Sequence, residues 1–323
     1  MKFSVSRRAI VATAASLAAA FSFAGADMAH AQYPEKGLTL IVPYGPGGGT
    51  DITARLLAKD LEAEVGKPVT VINIGGGGGW KGWGTLAAAA PDGYTIGYLN
   101  VPAIYAGYLD PKLGRKESLD SFTPIMNHVI DFNVLTVKPD SPFKSLKDVV
   151  EAAKKAPNTV SITAHGVGGD EHLAILEFER LTGAKFRIVQ NKSTPESKTQ
   201  VLGGHVQILA SNVSEIATDV KDGQLRVLGV MSTDKSQFLP GAPTFKEQGY
   251  DIDASNSRGI AAPAGLPKDV EAKLVAWLEK VIASKEHEKK AEGLFLQTQV
   301  IRGADYQKFL KDNEQDIKKL MGW

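Results

Sequence analysis

Short apolar runs alternate along the chain with stretches in which apolar residues return every three or four positions. Leu38–Pro43 (LTLIVP) predicts a strand, followed by Gly45-Pro46-Gly47-Gly48-Gly49, then Thr50-Asp51. A helix comes next, with Ile52, Leu56, Leu57, Leu61 and Val65 on one side. Gly66 ends it, and Val69–Ile74 (VTVINI) is the next predicted strand. Five glycines, Gly75 to Gly79, lead into a helix through Leu86 to Ala90, and the turn Pro91-Asp92-Gly93 precedes a strand at Tyr94–Leu99. Strand and helix alternating at this spacing predict a parallel α/β sheet. The unit then returns. Val160–Ala164 (VSITA) predicts a strand, His165-Gly166-Val167-Gly168-Gly169 a loop, and Asp170-Glu171 the start of a helix bearing Ala174, Phe178 and Leu181. Gly183 ends that helix before a strand at Phe186–Gln190 (FRIVQ). The two copies suggest equivalent units in two lobes.

Beyond them, Val206–Ala210 and Leu225–Val230 predict strands, with Asp219–Gly223 in the loop between. Pro240, Pro243 and Gly249 mark a loop-rich stretch, and Ile260–Pro263 reads as a strand returning to the first lobe. Pro267 opens a helix with Val270, Leu274, Trp277, Leu278 and Val281 on one face. A last amphipathic helix runs from Ala304 to Leu320.

The N-terminus changes the picture. Lys2, Arg7 and Arg8 precede an apolar run, Ala9 to Ala24, and a small-x-small site at Ala29-His30-Ala31. That layout predicts a secretory signal peptide, residues 1–31, removed after Ala31 by the general secretory or the twin-arginine route. The run is too short and alanine-rich for a permanent span, which needs about 20 strongly apolar residues. Taking Lys2, Arg7, Arg8 and Asp27 from the 37 basic and 36 acidic residues leaves 34 and 35, a net charge of −1. There is no basic excess for nucleic acid or a membrane surface. The chain has no cysteine, which excludes disulfides, thiolate metal sites and a lipidated N-terminal cysteine. The expected product is a monomer free in the periplasm, with no direct membrane insertion.

The glycine loops carry the candidate chemistry. Glycine admits positive φ and lets a ligand approach backbone N–H groups. A helix N-terminus adds unpaired donors and a partial positive charge, so the two together bind anions without Lys or Arg. Read singly, each loop is equally a tight turn with Thr50, Asp51 or Asp170 as cap. Read as a pair, they can clamp one carboxylate from both sides. Neither fits the phosphate-loop pattern GxxxxGK[ST]. Gly77, Gly79 and Gly82 form a literal GxGxxG, but the following strand ends on Asn100 with no acidic residue for a ribose. The histidines after residue 31 are His128, His165, His172, His205 and His287, with neither HExxH nor a Gly-x-Ser-x-Gly elbow. His165 is placed to donate to a ligand, His172 sits in a helix first turn, and no metal or cofactor is expected. Trp80, Trp83, Tyr98 and Tyr105 either wall a pocket or pack a core.

LIVPYGPGGGTDITARLLA (40–58), GGGGGWKGWGTLAAAAPDGYTIGYLN (75–100), GVGGDEHLA (166–174), LGGHVQI (202–208), KDGQLRVLGV (221–230) and APAGLP (262–267) together resemble the periplasmic solute-binding proteins of tripartite tricarboxylate transporters, the Bug family. The resemblance implies an α/β fold of the two-lobed periplasmic-binding-protein (Venus flytrap) kind with two interlobe crossings, near Ile130–Val134 and Asp251–Arg258. Lobe one would be residues 33–132 plus 252–323, and lobe two 133–251. It also implies a ligand carboxylate between Tyr44, Gly45, Gly47, Gly48, Gly49, Thr50 and Asp51 on one side and Ala164, His165, Gly166, Val167, Gly168, Gly169 and Asp170 on the other. Asn212 would face the cleft, and Arg258 would pair with a second carboxylate. The third loop departs from the family's Arg/Lys-Pro-Gly-Ala-Gly-Gly type, being Ile74, five glycines, Trp80 and Lys81. The expected function is capture of an organic di- or tricarboxylate for delivery to membrane transporter subunits, with no chemistry on the ligand. The alternatives are an exported α/β hydrolase with His165 as base, and a receptor of the same fold for amino acids or aromatic carboxylates.

Overall fold

The computed structural model describes residues 33–323, so the predicted signal peptide lies outside the described residues. β1 (Leu38–Val42), α1 (Gly49–Val65) and β2 (Val69–Asn73) form the first unit, with β2 parallel to β1. Leu38, Leu40, Ile41 and Val42 are all buried, as a strand covered on both faces requires. Gly66, at φ 68°, ends α1 by donating to the Glu62 carbonyl, a left-handed cap that glycine adopts at least cost. α2 (Trp80–Ala87) leads to β3 (Thr95–Val101), parallel to β1 on its other side, and α3 (Ala103–Leu109) follows.

The prediction of a parallel sheet extends no further. β4 (Phe122–Val137) is a 16-residue strand that the sequence reading did not resolve. Its first part lies antiparallel to β9 (Ser255–Pro263) and β10 (Gln297–Arg302), and β9 is antiparallel to β3. The sheet order is β10-β4-β9-β3-β1-β2. A strand–helix–strand signal reports only neighbours joined by a helix; strands returning from the other half of the molecule enter from the opposite end.

β4 ends in a second sheet. Up to Phe132 it pairs with β9, and from Asn133 onward with β7 (Leu209–Asn212) and β8 (Arg226–Val230). That is one crossing between lobes. The chain returns just before β9, where the Asn133 N–H donates to the Ala254 carbonyl and the Ala254 N–H to that of Met231. The fold is therefore the two-lobed one, with two crossings. Lobe two also holds α4 (Leu146–Lys155) and the second unit, β5 (Ser161–His165), α5 (Asp170–Thr182) and β6 (Arg187–Asn191). β5 and β6 are parallel, and an Ile162–Ile208 bridge joins β5 to the chain entering β7. α6 (Thr194–Leu202) precedes β7.

Two local expectations change. The strand expected at Val206–Ala210 lies at Leu209–Asn212, and α7 (Val213–Lys221) occupies the first part of the loop expected at Asp219–Gly223. Asn212 and Glu215 cap each other reciprocally and so start that helix directly at the strand end. α8 (Lys268–Ile282), α9 (Lys285–Gly293) and α10 (Gly303–Met321) complete lobe one. Trp80, Trp83, Tyr98 and Tyr105 are all buried in lobe one, and none lines the cleft cavity. Trp83 donates its indole N–H to the Tyr98 carbonyl, which fixes its ring. Phe178, Phe186 and Phe245 centre the core of lobe two. Among the described residues, no helix is long and apolar enough to cross a membrane.

Candidate functional site

Four helices, α1, α5, α6 and α7, direct their N-terminal ends at one cavity of about 40 Å³ between the lobes. Tyr44, Gly45, Gly48, Gly49, Thr50 and Asp51 line it from lobe one, and His165, Asp170 and Asn212 from lobe two. Arg258 and Asn256, on β9, close its base. Gly47, Ala164, Gly166, Val167, Gly168 and Gly169, the other residues implied by the resemblance, do not line it. Each helix end brings backbone N–H donors and partial positive charge, so the cavity is disposed to receive an anion.

The first loop turns its acid inward and its backbone outward. Asp51 accepts the Gly47 N–H at 3.0 Å and bonds from Arg55 and Asn73. Burial alone would raise the Asp51 carboxyl; those bonds outweigh it and hold it below the usual range. The Gly49 N–H then points across the cleft and donates to Glu215 Oε1 at 2.8 Å. Glu215 Oε2 accepts the Asn212 N–H at 3.1 Å, so one side-chain carboxylate joins the N-terminal ends of α1 and α7. A Cβ on Gly49 would stand 2.8 Å from Arg258 Cζ, so only glycine lets the guanidinium cross the start of α1. Thr50 accepts from Asn100 Nδ2 at 2.9 Å.

The second loop does the reverse. His172 Nδ1 accepts the Gly168 N–H at 3.0 Å, and the Gly169 N–H goes to the Gly166 carbonyl. Asp170 faces the cleft, where Asn212 and Asn256 both donate to it at 2.9 Å. Burial pushes its carboxyl well above the usual range, and Glu171 beside it adds to the rise. Arg258, 1% exposed, donates to Asp131 at 2.8 Å and to Asn212 Oδ1 at 3.0 Å, leaving Nε without a partner. Asp131 also accepts from the backbone and hydroxyl of Ser214.

The chain matches the family model described as "Tripartite tricarboxylate transporter family receptor" over residues 53–322. It is 31% identical to Protein BugT of Bordetella pertussis over 257 residues, 78% of each chain. The chain belongs to the tripartite tricarboxylate transporter receptor family. Among solved structures, periplasmic binding protein BugD superposes with a TM-score of 0.80 at 28% identity, over 89% of this chain and 96% of that one. R. palustris Rpa4515 with adipate superposes at 0.82 with 22% identity, over 89% and 97%, a likeness of fold. The family is one of periplasmic solute-binding receptors.

Within this receptor, Glu171 Oε1, His165 and Ser197 Oγ stand in line, at 2.7 Å to Nδ1 and 2.9 Å to Nε2. The order is that of an acid–histidine–serine triad, but its electrostatics are not. Burial opposes a charge on His165; Glu171 outweighs it and pushes the imidazole up to about 9, so at neutral pH it is a donor to both neighbours. Ser197 is fully buried, accepts from Asn191 Nδ2 as well, and does not line the cavity. A base works from its neutral form and its nucleophile must meet substrate; Glu171 favours the charged imidazole, and Ser197 is enclosed. Among the described residues, no group of three or more His, Cys, Asp and Glu could hold a metal ion.

The sequence reading missed Glu171, Lys192, Ser193, Thr194, Glu215 and Asn256 at the cavity. Two signals were present. Asn212-Val-Ser-Glu215 is a capping pattern, and Ser193-Thr194-Pro195-Glu196 is a helix start with an early proline. Nothing local marks Asn256, which enters only because β9 passes behind Asp170.

Proposed function

We propose that this receptor holds an organic di- or tricarboxylate at the convergent helix N-termini and hands it to the membrane subunits of a tripartite tricarboxylate transporter. The observation that carries the reading is the cavity itself: four helix ends and one buried arginine at a single interlobe point. A first carboxylate would take backbone donors at Gly48–Asp51, and Arg258 would meet a second. Contacts from both lobes would shift the population toward closure. The lobes would be residues 33–132 plus 252–323 and residues 133–251, turning on the two crossings. The mature chain would act as a periplasmic monomer, exported by the Sec or twin-arginine route and cleaved after Ala31. No chemistry on the ligand and no cofactor is proposed, in keeping with the raised His165 imidazole and the enclosed Ser197.

A second reading has its own support. Among the described residues, Glu215 lies at the cavity with no Lys, Arg or His bonded to it. Such a carboxylate suits a ligand that carries an ammonium beside its own carboxylate, as amino acids do. Thermal melting and calorimetry with adipate, malate, citrate and aspartate separate the readings. A ligand at a hundred times its Kd adds about 2.7 kcal/mol of stability. The di- and tricarboxylates are expected to raise the melting temperature more than aspartate does; the reverse order installs the amino-acid reading. No shift with any acid, together with turnover of an ester, would sink both.

A further inference from the structure

The geometry points to Glu215 as a resident competitor for the carboxylate site: it latches the lobes through the Gly49 N–H, and a ligand carboxylate must displace it. This inference rests on the reading that the start of α1 receives the ligand. Glu215 is 166 residues from Gly49 in the chain, on the opposite lobe, yet its Oε1 lies 2.8 Å from the Gly49 nitrogen. Its Oε2 caps α7 through the Asn212 N–H, so the side chain is held from both ends. The buried cations beside it are already engaged. Arg258 is paired with Asp131 and His165 with Glu171, while Lys192 stands further out on the wall.

One N–H group serves one strong acceptor well, and two carboxylates at one donor repel. The Gly49 N–H is already given to Glu215 Oε1. Binding at Gly49 is therefore an exchange. A ligand with one carboxylate replaces Glu215 on α1 but breaks the bridge to lobe two. A ligand with a second carboxylate restores a bridge through the α6 end, where Ser193 and Thr194 line the cavity from lobe two. Glu215 thus selects diacids over monoacids by making the monoacid forfeit interlobe contact. This is discrimination against the wrong ligand as much as attraction to the right one.

The test uses two acids of equal chain length, adipate and hexanoate, and the protein without residues 1–31. Calorimetry is run on the wild type, Glu215→Gln and Glu215→Ala. The Gln variant keeps the shape and an acceptor for the α7 cap. Both variants are expected to bind hexanoate at least fivefold more tightly, and the adipate-to-hexanoate preference is expected to shrink by at least threefold. Weaker binding of both acids in both variants, or an unchanged preference, overturns the inference. A second measurement needs no ligand. The chain has no cysteine, so spin labels go on Lys59→Cys and Thr199→Cys, exposed positions on α1 and α6. Their distance distribution is expected to broaden toward longer separations in Glu215→Ala. An unchanged distribution removes the latch. A broadened one without binding of either acid to any form keeps the latch and removes the carboxylate site instead.

Discussion

The two glycine loops share one plan of strand, glycines, acid, helix and left-handed glycine stop, yet they exchange the jobs of acid and backbone. In the first, Asp51 turns back to take the Gly47 N–H, which frees the Gly49 N–H to reach across to Glu215. In the second, His172 takes the Gly168 N–H, and Asp170 is the group that reaches across, to Asn256 on β9, while it also accepts from Asn212 at the end of β7. A loop has a limited set of donors and acceptors; those used to hold its own shape are lost to the cleft. A glycine-rich motif therefore does not say which group will be presented. That depends on which side chain nearby caps the loop.

The sharpest way to break the contrast is to remove what both loops share. Asp131, on the crossing strand β4, pairs with Arg258 and also accepts from Ser214 at the start of α7. Asp131→Ala leaves a buried guanidinium unpaired and is expected to cost about 3–5 kcal/mol. In urea the midpoint should fall with little change in slope. A loss under 1 kcal/mol would mean that Arg258 finds another partner, and that the two loops are less coupled than this geometry makes them.

The second loop carries the larger pH signature. His165 rises to about 9 from an ordinary 6.5, with Glu171 the cause that overcomes burial. A base whose folded value is raised contributes stability fully below pH 6.5 and loses it as pH climbs through about 9, roughly 3 kcal/mol in all. Glu171 works in the opposite sense: its carboxyl is depressed by His165, so its contribution is lost as pH falls through the acid range. NMR titration of the His165 ring should give a midpoint about 9, and Glu171→Gln should lower it clearly, leaving burial opposed only by Glu215 and Asp170. A midpoint that stays near 6.5 in the wild type would return His165 to the neutral, base-like state.

The comparison also shows how far the sequence reaches. The strand, loop and helix of each unit, the stops at Gly66 and Gly183 and most of the first loop's cleft residues could be read from spacing and residue type. Asp131 could not be matched to Arg258, because 127 residues separate them and the pairing is made by the antiparallel neighbours β4 and β9. The double membership of β4 was equally hidden: an apolar run announces a strand but not which sheet receives each end. Glu215 was readable as a cap for its own helix and unreadable as a contact to α1, since that contact depends on how the lobes meet.

Smaller changes sharpen the contrast between the loops. Gly49→Ala pushes a methyl into the Arg258 guanidinium and is expected to cost about 1–3 kcal/mol and to weaken adipate binding at least tenfold by calorimetry. Full affinity in that variant would place the ligand away from the start of α1. His172→Ala removes the acceptor for the Gly168 N–H and is expected to cost about 1 kcal/mol in thermal melting, with adipate affinity within twofold of the wild type. An affinity loss larger than the stability loss would mean that the second loop also offers its backbone to the ligand.

The least disruptive change asks the most of the first loop. Gly45 lines the cavity, has no positive φ, and a Cβ built on it meets nothing within 4 Å. Its glycine is thus not demanded by the fold. Alanine there removes freedom from the unfolded chain and should be neutral or stabilising by up to about 1 kcal/mol, read as an unchanged or slightly higher melting temperature. Adipate affinity should stay within twofold, because the donors assigned to the carboxylate are at Gly48–Asp51, further along the loop. A large affinity loss with unchanged melting would instead show a ligand lying against the Gly45 backbone. The first loop would then present two donors where the second presents an acid, and the exchange of roles between them would run along the whole loop.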